Sequence, residues 1–444
     1  MRLRTLALSV VGLAVAASAG AQSTPPIEYA TFTLDNGLQF IVHEDHSVPM
    51  AHVQVWYDVG SAHEPEGRSG FAHLFEHLMF INTTHLEQGE FDEYINEAGG
   101  DLNGTTNKDR TAYYETIPSN RVNLALWLEA DRMQNLVINE ENFQREREVV
   151  KEERRLRVDN QPYGQASMTM DTLPMDWKPY RHTVIGSMDD LNAATAADAR
   201  DFYHRFYVPN HAAIVVAGDV TVDEIRDLAE RYFAAIPAGP EMPALPPIPA
   251  TPRTDGERRA VLDAEKATLP LLQIAYTIPP EGDPDVKALE LLGQILGGGE
   301  SSRLYQRLVK EEQAAFQVFA GAGSGMGPGT FTAGALPNQG VSVEELESLI
   351  QEEIDRVKAD GVTARELQKV KNQRRAGTIM SRQTVMSKAI ALQQYRYQGD
   401  ISKINTELDE YMAITAEDIL RVARTYLRPA NRTVVIAQPP QPST

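Results

Sequence analysis

The sequence predicts a mixed α+β protein built from two related halves. Segments that alternate like strands are interleaved with segments of helical periodicity, so the two element types share the same domains. A proline-dense segment divides the chain near its middle, and short patterns on one side recur on the other at a constant offset.

Residues 30–42, with Asp35-Asn36-Gly37 as a tight turn, read as a hairpin, and 51–59 alternates like a third strand. Residues 91–98 form a short helical pattern closed by Gly99-Gly100, since glycine commonly ends a helix. A strand pair is expected over 101–106 and 111–117, followed by helices over 121–136 and 140–157. The divider, 238–256, carries Pro240, Pro243, Pro246, Pro247, Pro249 and Pro252, a density that makes a stiff extended connector. Across it, Thr195-Ala196-Ala197-Asp198 returns as Thr415-Ala416-Glu417-Asp418, Pro209 as Pro429, and Ile214-Val215-Val216 as Val434-Val435-Ile436, each 220 residues later. So long a period indicates duplicated domains, 22–237 and 257–444, rather than a solenoid. In each copy a helix ends in a proline turn and runs into a buried strand.

The bulk numbers bound the function. With 444 residues, 42% of them hydrophobic, the chain is neither disordered nor a membrane bundle. Residues 1–21 have the form of a secretory signal peptide: Arg2 and Arg4, an apolar stretch over 6–17, then Ala19-Gly20-Ala21. No comparable run follows, so no membrane insertion of the mature chain is expected. The absence of cysteine excludes disulfides and a lipid-modified N-terminal cysteine. A bacterial periplasm is the simplest destination, with full secretion as the alternative. Sixty-two acidic against 42 basic residues argue against nucleic acid and suit cationic peptides, although the same acidity would serve solubility.

All ten histidines lie at or before position 211, so imidazole chemistry belongs to the first half. Two of them stand in the apolar run Phe71-Ala72-His73-Leu74-Phe75-Glu76-His77-Leu78-Met79-Phe80. On a helix His73 and His77 fall one turn apart on one face, with Glu76 beside them, where both imidazoles can reach one ion. Two imidazoles and a carboxylate suit Zn2+, which in catalytic sites takes three protein ligands and one water. His-x-x-Glu-His is the inverted form of the commoner zinc-protease motif. A candidate third ligand lies in Gln144-Arg145-Glu146-Arg147-Glu148-Val149-Val150-Lys151-Glu152-Glu153, where Glu146, Val149, Val150 and Glu153 share a helical face. Two carboxylates flanking two valines are costly to bury without a compensating cation. Taken alone, this stretch reads first as a solvated, charge-rich helix.

Together, the motif at 73–77 and the distant Glu146 and Glu153 resemble the pitrilysin, insulin-degrading enzyme and mitochondrial processing peptidase family of zinc metallopeptidases. The resemblance implies one zinc ion per chain held by His73, His77 and Glu153, with Glu76 as general base and Glu146 as a supporting acidic residue. It implies that each half is a sandwich of a mostly antiparallel sheet and helices, the second half lacking metal ligands. The segment Gly99-Gly100-Asp101-Leu102-Asn103-Gly104-Thr105-Thr106 resembles the family's edge strand, so Asn103, Gly104 and Thr105 are expected to line an extended peptide substrate. Backbone pairing of that kind accepts varied side chains.

Gly297-Gly298-Gly299-Glu300-Ser301-Ser302-Arg303-Leu304-Tyr305 resembles the family's second-half segment. A phosphate loop is excluded there because no Lys-Ser or Lys-Thr follows the glycines. Gly321-Ala322-Gly323-Ser324-Gly325 is likewise read as a turn. Members that act alone or as identical pairs carry an Arg and, seven residues on, a Tyr after this segment. Here those places hold Val309 and Phe316, which have no side-chain hydrogen-bond donor. The expectation is a zinc endopeptidase that closes on its substrate as a clamshell with a homologous subunit supplying Arg and Tyr, a heterodimer, with a homodimer as the alternative. A purely structural subunit has no use for Glu76. A metal- or peptide-binding protein would hold zinc without hydrolysis.

Overall fold

The computed structural model describes residues 26–440, so the segment read as a signal peptide lies outside the described residues. Among these residues two sheets form. The first is six-stranded, with β1 (Ala30–Thr33), β2 (Gln39–Glu44), β3 (Met50–Tyr57), β4 (Asp101–Thr106), β5 (Thr111–Pro118) and β6 (Ala212–Gly218) in the order β1-β2-β6-β3-β5-β4. The second runs β7-β11-β8-β10-β9, with β7 (Arg258–Asp263), β8 (Leu271–Ile278), β9 (Ala315–Gly323), β10 (Gly329–Pro337) and β11 (Arg432–Gln438). Only β2 with β6 and β7 with β11 pair in parallel. The second order repeats the first, strand for strand, without β1, which is the duplication that the 220-residue offset announces. The fold is α+β.

The elements follow the local chemistry. Asp35-Asn36-Gly37 turns β1 into β2 with Gly37 at φ 89°, a conformation that favours glycine. The copies Thr195 and Thr415 both cap helices, Ala196–Phe206 and Ala416–Tyr426, through capping boxes with Asp198 and Asp418. Each helix leads through a proline turn into a buried strand, β6 or β11.

The main core of the first half joins Phe40, Val53, Val55, Tyr57, Ile214 and Val216 of the sheet to helical Phe71, Leu74, Phe75 and Leu78. The sheet's opposite face is covered from the other half. Val385, Ala389 and Leu392 of helix Val385–Tyr397 pack on Ile41, Val215 and Ala217. Reciprocally, Ala166 and Met170 of helix Gly164–Thr172 pack on Leu271, Ala275 and Val435. This exchange buries β3 and β6 on both faces, which explains why β6 reads as a continuous apolar run and why the alternating polar residues of β3, His52 and Gln54, are buried as well. The Arg396 guanidinium donates to both Asp58 carboxylate oxygens at 2.7 and 2.8 Å, and Lys388 reaches Asp45 at 2.5 Å, across the same junction.

Two sequence expectations are corrected. Gly321-Ala322-Gly323 belongs to β9 and not to a turn. Helix Pro284–Gly297 crosses the strand so closely that a Cβ on Gly293 would lie 2.7 Å from the Gly321 Cα, which explains the glycine on the helix. Val149 does not share the buried face of helix Glu140–Arg154, being 44% exposed while Val150 is fully buried. The inward line runs through Phe143, Glu146, Val150 and Glu153, and Val149 falls one step of about 100° off it.

Candidate metal centre

Helix Phe71–Leu78 divides its faces by chemistry: Phe71, Ala72, Leu74, Phe75 and Leu78 enter the core, leaving His73, Glu76 and His77 on the opposite side. Its N-terminus starts at Gly70, which offers no side chain to cap the first amides. Buried Glu64 takes that role by accepting from the N–H groups of Gly70 at 3.0 Å and Ala72 at 2.7 Å. His182 Nε2 lies 3.0 Å from the same carboxylate. A negative group at a helix N-terminus is favourable. Glu64 therefore fixes the register of the turn that carries His73.

Helix Glu140–Arg154 packs alongside and brings Glu153 to the histidines. Glu153 Oε2 lies 3.2 Å from His77 Nε2 and 3.4 Å from His73 Nε2. Among the described residues this is the one group of three or more potential ligands whose donor atoms lie within 4.8 Å of one another. Ligands about 2.0–2.1 Å from a tetrahedral zinc stand about 3.3 Å apart, close to both distances. Glu153 Oε2 is also buried with no hydrogen-bond partner, an arrangement that is costly unless a cation satisfies it. The donor set fits a zinc ion. Arg157 Nη1 holds the other oxygen, Oε1, at 2.8 Å, which leaves Oε2 to face the imidazoles.

The electrostatics differ between the two imidazoles. Burial lowers the His73 pKa to about 4, keeping the ring in its neutral, ligating form. Burial also pulls on His77, but the Glu153 carboxylate outweighs it and raises that pKa. The His77 ring beside it holds Glu153 below the usual carboxylate range against the opposing effect of burial. Glu76 is raised, chiefly by burial, even though the Thr106 hydroxyl stabilises its ionised form.

Two models of known families cover most of the chain: insulinase (peptidase family M16) over residues 39–176 and the peptidase M16 inactive domain over 193–374. The zinc protease PqqE of Helicobacter pylori is 32% identical over 97% of both chains. The chain belongs to peptidase family M16, hydrolases of peptide bonds. Two further members share less of their sequence with it. An uncharacterized zinc protease of Bacillus subtilis, YmxG, is 26% identical over 80% of this chain and 85% of its own. A probable mitochondrial-processing peptidase subunit beta of Arabidopsis thaliana is 28% identical over 60% of this chain and 50% of its own. The crystal structure of a protease from Helicobacter pylori superposes with a TM-score of 0.88 at 31% identity, covering 93% of this chain and 99% of that one. The periplasmic protease PqqL from Escherichia coli shares the fold, with a TM-score of 0.76 at 18% identity over 94% of this chain and 48% of that one.

In this M16 chain Glu146 faces the same side of its helix as Glu153, mostly buried, with Arg145 Nε at 3.1 Å, and its charge contributes to the raised pKa of His77. Asn103, Gly104 and Thr105 lie on β4, the outermost strand of the first sheet. Asn103 Oδ1 accepts from the Gly104 N–H at 2.8 Å, and the Thr105 carbonyl accepts from Arg110 at 2.7 Å. Val309 is partly buried against the second core, and Phe316 is 49% exposed on β9.

Sequence reasoning missed Glu64, His182 and Thr106. Thr106 Oγ1 donates to Glu76 Oε2 at 2.5 Å. Strand alternation could have found it: Gly104 and Thr106 share a face, and a Cβ on Gly104 would lie 3.1 Å from Glu76 Cγ.

Proposed function

We propose that the chain is a zinc-dependent endopeptidase acting on extended peptides or unfolded segments. The observation that carries this reading is the convergence of His73, His77 and Glu153 beside a carboxylate, Glu76, whose proton affinity is raised. His73, His77 and Glu153 would hold one zinc ion, and Glu146 would support the site from its second acidic position. When bound, zinc polarises a carbonyl and lowers the pKa of water to about 7.

The chain's own residues supply the rest. Glu76 takes a proton from the attacking water and gives it to the nitrogen of the departing amine, a double role that a raised pKa favours near neutral pH. The free edge of β4, through Asn103, Gly104 and Thr105, would pair with an extended substrate backbone and set the scissile bond beside Glu76. The acidic balance of the chain favours cationic peptides.

Val309 and Phe316 stand where an oxyanion-stabilising Arg and Tyr are expected, so a homologous subunit would supply that pair and close a clamshell over the site. The signal-peptide pattern over residues 1–21 would direct the mature protein to the periplasm, with secretion as the alternative. Cleavage of a quenched fluorescent peptide library by the zinc-loaded single chain, alone and with candidate homologous subunits, tests both parts. Glu76→Gln should keep zinc and lose turnover. Retained turnover in that variant removes the base assignment, and full activity of the single chain removes the split site.

A further inference from the structure

We infer that Thr106 is a positioning residue that orients the Glu76 carboxylate and ties it to the edge strand. This rests on the reading of Glu76 as the base. The hydroxyl has one proton, and two acceptors are near it: Glu76 Oε2 at 2.5 Å and Thr111 Oγ1 at 3.4 Å. The Thr111 hydroxyl is buried and donates to the Val59 carbonyl at 2.9 Å. Its own proton is committed, so Thr111 cannot donate to Thr106. The shorter contact therefore fixes Thr106 as donor and Glu76 Oε2 as acceptor.

A carboxylate with one oxygen held in this way presents the other, Oε1, as the free base. It also loses the rotation about its terminal bond that would exchange the two oxygens. Gly104, two residues earlier on the same strand face, limits the stem, because a Cβ there would stand 3.1 Å from Glu76 Cγ and 3.0 Å from Phe80 Cε2. Strand β4 thus clamps the base at its stem and at its tip. The strand whose free edge would take the peptide is the one that aims the proton acceptor, so a shift of β4 displaces both together. Small misplacements of reacting groups cost large factors in rate.

The test compares Thr106→Val, Thr106→Ala and Thr106→Ser with the wild type on one peptide, in zinc-loaded protein, with zinc content and melting temperature measured alongside. Val and Ala should lower kcat about tenfold, with KM and zinc content unchanged, and Ser should restore kcat. Crystal structures of the metal-free Val and Ala variants should show the Glu76 carboxylate turned away from its wild-type orientation. Unchanged kcat in Val and Ala, or a Ser variant as impaired as Val, overturns the inference. So does loss of zinc in step with kcat, which would mark a role in the metal site itself. If the wild type cleaves no peptide either alone or with a homologous subunit that carries the Arg and Tyr, the peptidase reading fails, and the Glu76 orientation in the variant crystals still decides the role of Thr106.

Discussion

A Cβ placed on Gly297 would lie 2.1 Å from the backbone nitrogen of Ala320. Gly297 and Gly293 stand 220 residues after His77 and His73, and their helix, Pro284–Gly297, meets β9 as the histidine helix meets β4. At the places of the imidazoles the second half therefore has glycines under a close helix–strand contact, which leaves no space for a metal there. Gly297→Ala and Gly293→Ala should each cost about 1–3 kcal/mol of stability through overpacking, read as a lower denaturant midpoint. The chain should bind one zinc ion and not two, and a Gly293→His, Gly297→His double variant should unfold more easily without gaining a second ion by metal analysis.

Removal of the metal should be read in stability as well as in activity. The donor atoms of His73, His77 and Glu153 converge only in the folded chain, so zinc binds the native state preferentially and stabilises it by mass action, by about 2.7 kcal/mol at a hundredfold excess over Kd. A chelator should lower the melting temperature and abolish cleavage, with zinc restoring both. Glu153→Gln removes the charged ligand and should weaken zinc binding at least tenfold, while its chelator-treated melting temperature stays near that of the chelator-treated wild type. An equal loss of stability in both metal states would make Glu153 a structural residue only.

The legible part of this protein is what local chemistry dictates. The histidine helix, the β1–β2 turn and the paired β4 and β5 follow from periodicity and glycine placement, and the two capping threonines gave away the duplication. What depends on contacts between distant segments was not readable. Glu64 lies in a loop that reads as polar, and only the fold brings it onto the first turn of the histidine helix. Val149 was misplaced because the helical face was drawn one step too wide. The exchanged helices Gly164–Thr172 and Val385–Tyr397 have low amphipathic contrast, and which sheet each one covers is a property of the assembled halves.

Beneath the histidine helix, Arg132 is fully buried beside Glu129 and Glu115, with its guanidinium 4.3 Å from the Tyr113 ring centre and 4.6 Å from that of Phe91. The two carboxylates respond differently to substitution. Burial, reinforced by the charge of Glu129, raises the Glu115 pKa well above its ordinary value and favours its protonated form, and Oε2 has no partner. Glu115→Gln should therefore be nearly neutral. Arg132→Met strands the Glu129 charge and should cost about 3–5 kcal/mol. Chemical denaturation at neutral pH separates the two, and a Glu115→Gln loss as large as that of Arg132→Met would mean that both carboxylates are ionised.

Acid sensitivity should come partly from His52. Its ring is fully buried on β3, Nδ1 lies 2.8 Å from Thr116 Oγ1, and Nε2 has no partner. Burial lowers its pKa from 6.5 to about 4. Above pH 6.5 folded and unfolded chains both carry it neutral, and it has no effect on stability. As pH falls below 6.5 the unfolded chain takes up a proton that the folded chain refuses until about pH 4, so stability is lost across that window, at most about 1.4 kcal/mol per pH unit. Between pH 7.5 and 5.5 this one group should remove about 1 kcal/mol. His63, also lowered to about 4 by burial, acts in the same direction. Denaturation midpoints of chelator-treated protein at the two pH values, in the wild type and in His52→Gln, isolate the effect: the variant should lose less stability on acidification, and an identical loss would show that His52 is protonated in the folded chain.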